Sequence, residues 1–215
     1  VADRATWNNR LRPLPGAHVL QTWEWGEFKR LTTGWTPERV AFQRDGQTVA
    51  AAQLLTRRFG PLGVMYVPKG PALDHTDGNL LAAVLDHLER LARQRGAIWL
   101  KIDPDIVAGT GVPGDADTQD DPAGQAVIRE PSGRGWRFSR SQVQFRHTLT
   151  LDLTRPADDL LMGMSQSTRR KVRAAGKKGV TVRAATIDDI PTLYALYRIT
   201  GARDGFLIRP LEYYR

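Results

Sequence analysis

The sequence predicts an α+β fold, and three observations support this prediction. Residues 39–58 alternate between apolar and polar side chains around Asp45 and Gly46, a pair typical of β-hairpin turns. Residues 77–95 carry apolar side chains at helical spacing, namely Leu80, Leu81, Val84, Leu88 and Leu91. Each half of the chain contains strand patterns followed by a helix pattern and a further strand pattern, which indicates helices packed on sheet.

The remaining elements of the first half follow in chain order. Residues 21–31 predict a short helix that ends at Gly34, with Trp25, Phe28 and Leu31 on one face. Residues 62–73 ("LGVMYVPKGPAL") predict a third strand that runs into a loop rich in proline and glycine. Residues 97–103 ("AIWLKID") predict a buried strand that stops at a proline.

The second half begins with a different composition. Residues 107–125 are rich in Gly, Asp and Pro and show no periodicity, which predicts a mobile insertion. Residues 144–153 alternate as a strand, and residues 158–178 predict one long helix closed by a glycine. Residues 180–186 predict another strand, and residues 187–203 another helix.

The charge of the chain limits its partners. The net charge of +8 and the pI near 10.2 favour a polyanionic partner, such as nucleic acid, a phosphate-bearing ligand or an anionic membrane surface. The alternative is a generally basic protein from an arginine-rich proteome.

Several classes of protein are disfavoured by composition. There is no cysteine for a disulfide, a thiolate nucleophile or a cysteine metal site. The four histidines are scattered without ligand spacing, so no metal is expected. The apolar stretches are shorter than a membrane span, and the first residues lack the core of a signal peptide. We therefore expect a soluble, cytoplasmic protein.

A basic cluster lies between residues 165 and 183. It contains Arg169, Arg170, Lys171 and Arg173 without an intervening acid, and Lys177 and Lys178 follow near the end of the predicted helix. The helix dipole accounts for the last two lysines but not for the cluster in the middle of the helix. The sequence favours a phosphate-binding or tRNA-binding face over the alternative, a solvated basic face.

Two further groups of residues carry candidate chemistry. Asp103 and Asp105 follow a predicted strand, at the position where α/β proteins gather binding groups, although Asp103 could simply cap the chain before a proline. Near the end, Pro210 predicts a helix start, and Arg209 and Tyr213 beside it would suit a diphosphate. The alternative is that Arg209 pairs with Glu212 while the tyrosines cover an apolar edge.

Five stretches occur together in a recognisable order: "HVLQTWEWGEFKRLTTGW", "VPKGPAL", "IWLKIDPD", "STRRKVRAAGKKGVTV" and "TGARDGFLIRPLEYYR". In order and spacing they resemble the FemABX family, the tRNA-dependent aminoacyltransferases that build the interpeptide bridge of bacterial peptidoglycan. The resemblance implies tandem GNAT-like (acetyltransferase-like) domains, a first over residues 1–148 and the opening part of a second over 149–215. It also implies that the second domain is incomplete and that this chain is inactive.

The resemblance also implies substrates and site residues. The donor would be aminoacyl-tRNA, and the acceptor a UDP-linked muropeptide or a lipid-linked peptidoglycan precursor, which is compatible with peripheral membrane association. Lys29, Arg209 and Tyr213 would hold the diphosphate and uridine side, with Lys29 and Arg209 converging on one cleft. Asp103 or Asp105 falls where the family has an acidic residue proposed as a catalytic base. Arg169, Arg170 and Arg173 would face the cleft or the tRNA, and no metal or organic cofactor is implied.

Two other functions remain open from the sequence. One is a GNAT-like N-acyltransferase with a different acyl donor, although the nearest glycine loops lack the final small residue of a CoA-binding loop. The other is a non-enzymatic nucleic-acid-binding fragment. Residues 165–183 contain no aromatic side chain on which bases could stack, which counts against the second alternative.

Overall fold

The computed structural model describes residues 3–112 and 114–215. The chain divides into two compact units, Val1–Gln144 and Phe145–Arg215, which we call the first unit and the second unit. The helices of the first unit are α1 (Arg4–Leu11), α2 (Trp23–Thr33), α3 (Gly78–Gln94) and α4 (Pro122–Gly133). Its strands are β1 (Thr36–Arg44), β2 (Gln47–Phe59), β3 (Leu62–Val67), β4 (Ala72–Leu73), β5 (Ala97–Ile102), β6 (Gly109–Thr110) and β7 (Gln119–Asp120).

The main sheet of the first unit confirms a mixed α/β architecture. Strands β1, β2 and β3 are antiparallel neighbours, β5 pairs with β3 in parallel, and the short β4 pairs with β2. The predicted hairpin turn is present between β1 and β2. Asp45 and Gly46 both have positive φ values, 51° and 77°, as a two-residue turn of this hand requires.

The main core lies between the sheet and α3. The predicted apolar stripe of this helix is confirmed, since Leu81, Val84 and Leu88 are buried against Leu54 and Met65 of the sheet. Asp77 caps the helix by accepting a hydrogen bond from the Leu80 backbone N–H at 2.9 Å. Helix α3 therefore forms from local signals that agree with its packing.

A second, smaller core involves α1, which the sequence analysis did not predict. Trp7 is fully buried with Leu11, Leu14, Ala51 and Ala72 around it, and its indole N–H donates to the Gln21 carbonyl at 2.8 Å. Helix α1 was not predicted because Trp7 and Leu11 are its only buried residues and its polar residues outnumber them, so that no apolar periodicity is visible.

The start of α2 is joined to the sheet by the buried side chain of Gln21. Its amide oxygen accepts from the Gln53 backbone N–H at 2.7 Å, and its amide nitrogen donates to the Pro68 carbonyl at 2.6 Å. One side chain thus connects α2, strand β2 and the loop after β3, where an added Cβ on Gly70 would come within 2.7 Å of the Gln21 amide.

A second buried polar group holds the body of α2. The Arg39 guanidinium donates to the Gln53 amide oxygen at 2.8 Å and to the Trp23 carbonyl at 3.0 Å, and it stacks on the Trp23 ring. It also pairs with Glu27 at 3.2 Å. Gly26 makes this close approach possible, because a Cβ there would lie 2.3 Å from the Gln53 amide oxygen. Helix α2 is therefore held firmly against the sheet.

One prediction for the first unit needs correction. Strand β5 is not buried throughout, because it is the last strand of the sheet and leaves Ile98 65% and Trp99 46% exposed. Within residues 107–125, strands β6 and β7 pair with each other, and α4 begins at Pro122. The Asp121 carboxylate caps α4, a signal that the sequence analysis missed. The mobility of the segment stays a prediction, and Pro113 lies outside the described residues.

The second unit contains the helices α5 (Ala157–Gly163), α6 (Gln166–Lys177) and α7 (Ile190–Asp204). Helix α7 confirms the predicted helix at 187–203, and a single 3₁₀ turn over Leu211–Tyr213 follows Pro210 as predicted. The predicted single helix over 158–178 is wrong. It is interrupted because the Ser165 hydroxyl caps a new helix start by accepting from the Thr168 backbone N–H.

The strands predicted at 144–153 and 180–186 are also wrong, since both segments are irregular. Alternation produces a strand only where a neighbour supplies backbone hydrogen bonds, and no strand pairs with them within residues 3–112 and 114–215. Their alternating apolar side chains are exposed, including Leu149, Leu151 and Val182. In the same described residues, none of the helices has both the length and the apolar composition needed to cross a membrane.

Candidate functional site

Four polar residues lie together at the carboxyl ends of β3 and β5, namely Tyr66, Lys69, Asp103 and Asp105. These strands are parallel neighbours, so the loops that follow them meet at one edge of the sheet. The Tyr66 hydroxyl donates to one oxygen of Asp103 at 2.6 Å, and the Lys69 backbone N–H donates to the other at 2.6 Å. Lys69 has a φ of 49°, a left-handed conformation that turns its backbone toward Asp103.

Asp103 is held in place rather than presented to solvent. Burial raises the pKa of this carboxyl above its usual value, while the hydrogen bonds from Tyr66 and Lys69 and the nearby Lys101 charge oppose the rise. Burial and the Asp103 carboxylate also raise the pKa of the Tyr66 phenol. Because both Asp103 oxygens already accept hydrogen bonds, this residue is suited to positioning the loop after β3.

Asp105 has a different environment from Asp103. Its carboxylate accepts a hydrogen bond from the Lys69 ammonium at 2.7 Å, and its side chain is 47% exposed. The two carboxylates predicted from the sequence thus lie at one site. Of the two, Asp105 is the carboxylate that an incoming ligand can reach.

Lys101 and Gln144 complete the surroundings of this site. The largely buried Lys101 ammonium donates to the Ser141 carbonyl at 2.5 Å and to the Ser139 hydroxyl at 3.2 Å. The Gln144 amide approaches the Tyr66 hydroxyl at 3.4 Å. Sequence reasoning missed the roles of Tyr66, Lys69 and Lys101, which become visible only through the parallel pairing that places Tyr66 opposite Lys101.

The raised pKa of Asp103 gives a testable pH dependence. A carboxyl whose pKa is higher in the folded state than its value of 3.8 in the unfolded state holds its proton more tightly when folded. Its contribution to the free energy of unfolding therefore decreases as pH rises through the folded pKa. We expect the stability of Asp103→Asn relative to the native protein to be greater at pH 7.5 than near pH 4.5.

Urea denaturation of both proteins across this range measures the difference. Asn keeps the shape of Asp and can accept from the Lys69 backbone N–H, but its NH2 group faces the Tyr66 hydroxyl, which loses its acceptor. This loss is the same at every pH in the range, so the change in relative stability with pH still reports the Asp103 carboxyl. A relative stability of the variant that increases as pH falls would contradict the assignment of Asp103 as a buried carboxyl with a raised pKa.

Lys29 lies on α2, two residues after Glu27, which pairs with the buried Arg39 guanidinium. Its ammonium is 5.6 Å from the centre of the Trp25 ring, which itself lies 5.4 Å from Phe28. Trp25 and Phe28 are partly buried, but Leu31, predicted on the same face, is 73% exposed. The cation is thus presented beside an aromatic surface.

The basic residues of α6 fall into two groups, one bonded to the backbone and the other exposed to solvent. The Arg169 guanidinium donates to the Met162 carbonyl at 3.1 Å and to the Met164 carbonyl, so it satisfies backbone groups at the end of α5. Arg170, Arg173 and Lys177 are exposed, and their spacing places them on one face of α6. None of these three has a carboxylate partner among the described residues. We call them the basic stripe.

Most of the excess positive charge belongs to the second unit. It carries thirteen lysine and arginine residues against seven Asp and Glu residues, whereas the first unit carries eighteen against sixteen. The basic stripe therefore lies in a unit that is itself cationic.

The segment before the last 3₁₀ turn places Arg209 near Tyr213. The Arg209 guanidinium lies 5.7 Å from the centre of the Tyr213 ring, and its backbone N–H approaches the Tyr214 hydroxyl at 3.4 Å. The alternative pairing of Arg209 with Glu212 is not found among the described residues, where Glu212 pairs with Arg215 at 3.1 Å. Lys29 belongs to the first unit and Arg209 to the second, and their convergence on one ligand stays a prediction.

Known proteins are similar to this chain in fold and in sequence. A solved structure titled "Crystal structure of FemX" matches with a TM-score of 0.78 and 29% identity, covering 100% of this chain and 52% of that chain. The lipid II:glycine glycyltransferase of Staphylococcus aureus is 32% identical over 202 residues, covering 93% of this chain and 46% of the relative. The chain thus spans about half the length of these relatives and is similar to transferases.

The model of the FemAB family matches residues 10–215. The chain belongs to the FemAB family. This confirms the family that the five sequence stretches indicated.

Proposed function

We propose that the chain forms part of an aminoacyltransferase that adds an amino acid to a peptidoglycan precursor. The observation that carries the proposal is the family match over residues 10–215, together with the similarity to a lipid II:glycine glycyltransferase. The name of that relative favours a lipid-linked acceptor over a soluble nucleotide. The proposed donor is aminoacyl-tRNA, which is consistent with the basic stripe and with a cytoplasmic location.

The proposed architecture follows the family as well. The mixed sheet of the first unit, with two parallel strands whose loops carry the polar site, is compatible with a GNAT-like domain. We propose that residues 149–215 belong to a second domain of the same kind.

In the proposed reaction the main task of the protein is to place the two substrates next to each other. An acceptor amine attacks the aminoacyl ester, a C–N bond forms, the ester C–O bond breaks, and the ribose hydroxyl leaves with a proton. Because the ester is already activated, holding the two substrates together and moving one proton suffices. We assign contact with the acceptor amine to Asp105, since Asp103 has both oxygens occupied.

The direct test is transfer of a labelled amino acid from aminoacyl-tRNA to a lipid-linked precursor by the natural protein. The label should enter the lipid fraction and be lost when ribonuclease destroys the donor beforehand. Transfer from an acyl-CoA with no need for tRNA would replace the proposal with the N-acyltransferase alternative. Failure of both donors would reject an aminoacyltransferase function.

Precursor binding gives a second prediction. We propose that Lys29, Arg209 and Tyr213 hold the diphosphate side of the precursor, and each cation removed leaves phosphate oxygens without a charged donor. Lys29→Ala and Arg209→Ala should each weaken binding of a lipid-linked peptidoglycan precursor about tenfold. Calorimetric titration measures this, with Arg30→Ala, an exposed neighbour on α2 paired with Glu27, as the matched control.

The outcome of the double variant is equally informative. If both cations bind one diphosphate, the two losses should not simply add, because the remaining ligand contacts readjust once the first is gone. Unchanged affinity in the Lys29→Ala, Arg209→Ala protein would remove both residues from the proposed binding site.

A further inference from the structure

The Lys69 side chain is the starting point. Its ammonium donates to Asp105 at 2.7 Å, and its own side chain is 21% exposed. A lysine ammonium is chemically the same group as the protonated primary amine of an acceptor peptide. In the free protein, Asp105 is therefore paired with the same chemical group that is proposed as its ligand.

The backbone and the side chain of Lys69 are held differently. The backbone N–H is bonded to buried Asp103, and the neighbouring Pro68 carbonyl is bonded to buried Gln21. The side chain, by contrast, has four rotatable bonds and one carboxylate partner, which is itself half exposed. The ammonium can therefore leave Asp105 while the loop stays in place.

We propose that Lys69 is a displaceable counter-ion of Asp105 that competes with a primary-amine acceptor for this carboxylate. This inference rests on the proposed function and adds to it a residue that sets the affinity for the acceptor amine. In the free protein Lys69 neutralises Asp105. An acceptor ammonium takes its place on the carboxylate, whereas an acceptor with a hydroxyl or an acylated amine cannot replace the lost ion pair.

The expected magnitude follows from the exposure of the ion pair. Partly exposed pairs are weak, so Lys69 would occupy Asp105 in about four molecules of five. A ligand that needs the open state binds with an affinity reduced by the open fraction. Removing the competing ammonium should therefore raise affinity for an amine ligand about fivefold.

The test compares two probes. One is an alanyl-lysine dipeptide with a free side-chain amine and a blocked N-terminus, and the other is the same dipeptide acetylated on the side-chain nitrogen. Lys69→Met should bind the free-amine peptide about fivefold more tightly than the native protein and bind the acetylated peptide no better. The gain should disappear in Lys69→Met, Asp105→Asn, and should be absent in Lys69→Arg, which keeps the charge.

Carboxyl-carbon NMR of Asp105 gives a readout that a purely structural role of Lys69 would not move. The chemical shift of this carbon at pH 7 should change in Lys69→Met and return toward its native value when the free-amine peptide binds. Lys69→Gln, a second neutral variant, serves if the methionine variant folds poorly. Equal affinity in the native and neutral variants, or a gain that survives Asp105→Asn, would overturn the proposal.

The assay contains no tRNA and measures no transfer. Its result can therefore be separated from that of the proposed function. A fivefold gain for the free-amine peptide in Lys69→Met without transfer would keep the role of Lys69 and reject the aminoacyltransferase. Transfer without this gain would reject the role of Lys69 and keep the aminoacyltransferase.

Discussion

Replacing Gly26 by alanine should lower the free energy of unfolding by about 2–4 kcal/mol. The added Cβ would lie 2.3 Å from the Gln53 amide oxygen and 2.5 Å from an Arg39 guanidinium nitrogen. Flexible side-chain ends can usually yield, but Arg39 donates to the Gln53 amide oxygen and to the Trp23 carbonyl, and the Gln53 amide nitrogen donates to the Thr22 carbonyl. Moving either group leaves buried polar atoms without partners.

Urea denaturation measures this loss, and Gly78→Ala is the matched control. A Cβ at Gly78 meets nothing within 4 Å at the start of α3, so that variant should keep or slightly increase stability. The same glycine substitution thus separates close packing from helix propensity. A Gly26→Ala protein within 0.5 kcal/mol of the native one would mean that α2 is not held as described.

The second large effect concerns the basic stripe. Reversing Arg170, Arg173 and Lys177 to glutamate should weaken tRNA binding at low salt by about 100-fold to 1000-fold. The slope of log affinity against log salt concentration should become shallower by about 3, since each phosphate contact contributes nearly one. Filter binding at several salt concentrations measures both quantities.

The control must change the net charge equally. Arg57, Arg90 and Arg137 are exposed cations of the first unit, and reversing all three gives the same overall charge. If that control weakens binding as much as the basic stripe variant, the effect is net charge rather than a binding face. Arg169→Ala is expected to act differently, because its guanidinium satisfies the end of α5 and its loss destabilises the second unit.

Elements of this chain are predictable from sequence where local signals and packing agree. Helix α3 has an apolar stripe, the Asp77 cap and a following glycine, and all of these depend on neighbours within one or two turns. The predicted strands at 144–153 and 180–186 failed because a strand needs a hydrogen-bonding partner distant in the chain, which alternation cannot supply.

The candidate site was predictable in part for the same reason. Asp103 and Asp105 were identified by their position after a strand, but their separate roles depend on contacts with Tyr66 and Lys69 more than thirty residues earlier. Nothing local marks Gln21 or Gln53 as buried, since glutamine is usually exposed. Likewise, Arg169 could not be told from Arg170 without the interruption before Ser165.

The contacts of Gln21 have a dynamic consequence. The buried Gln21 amide, at the start of α2, is hydrogen-bonded to the backbone of Gln53 in β2 and of Pro68 in the loop after β3. The start of α2 and this loop therefore cannot open independently. Any fluctuation that frees the loop carrying Lys69 must break the same hydrogen bonds that anchor the helix carrying Lys29. The loop carrying Lys69 and the helix carrying Lys29 therefore open as a single cooperative unit. A ligand that stabilises one of them would slow the local unfolding of the other.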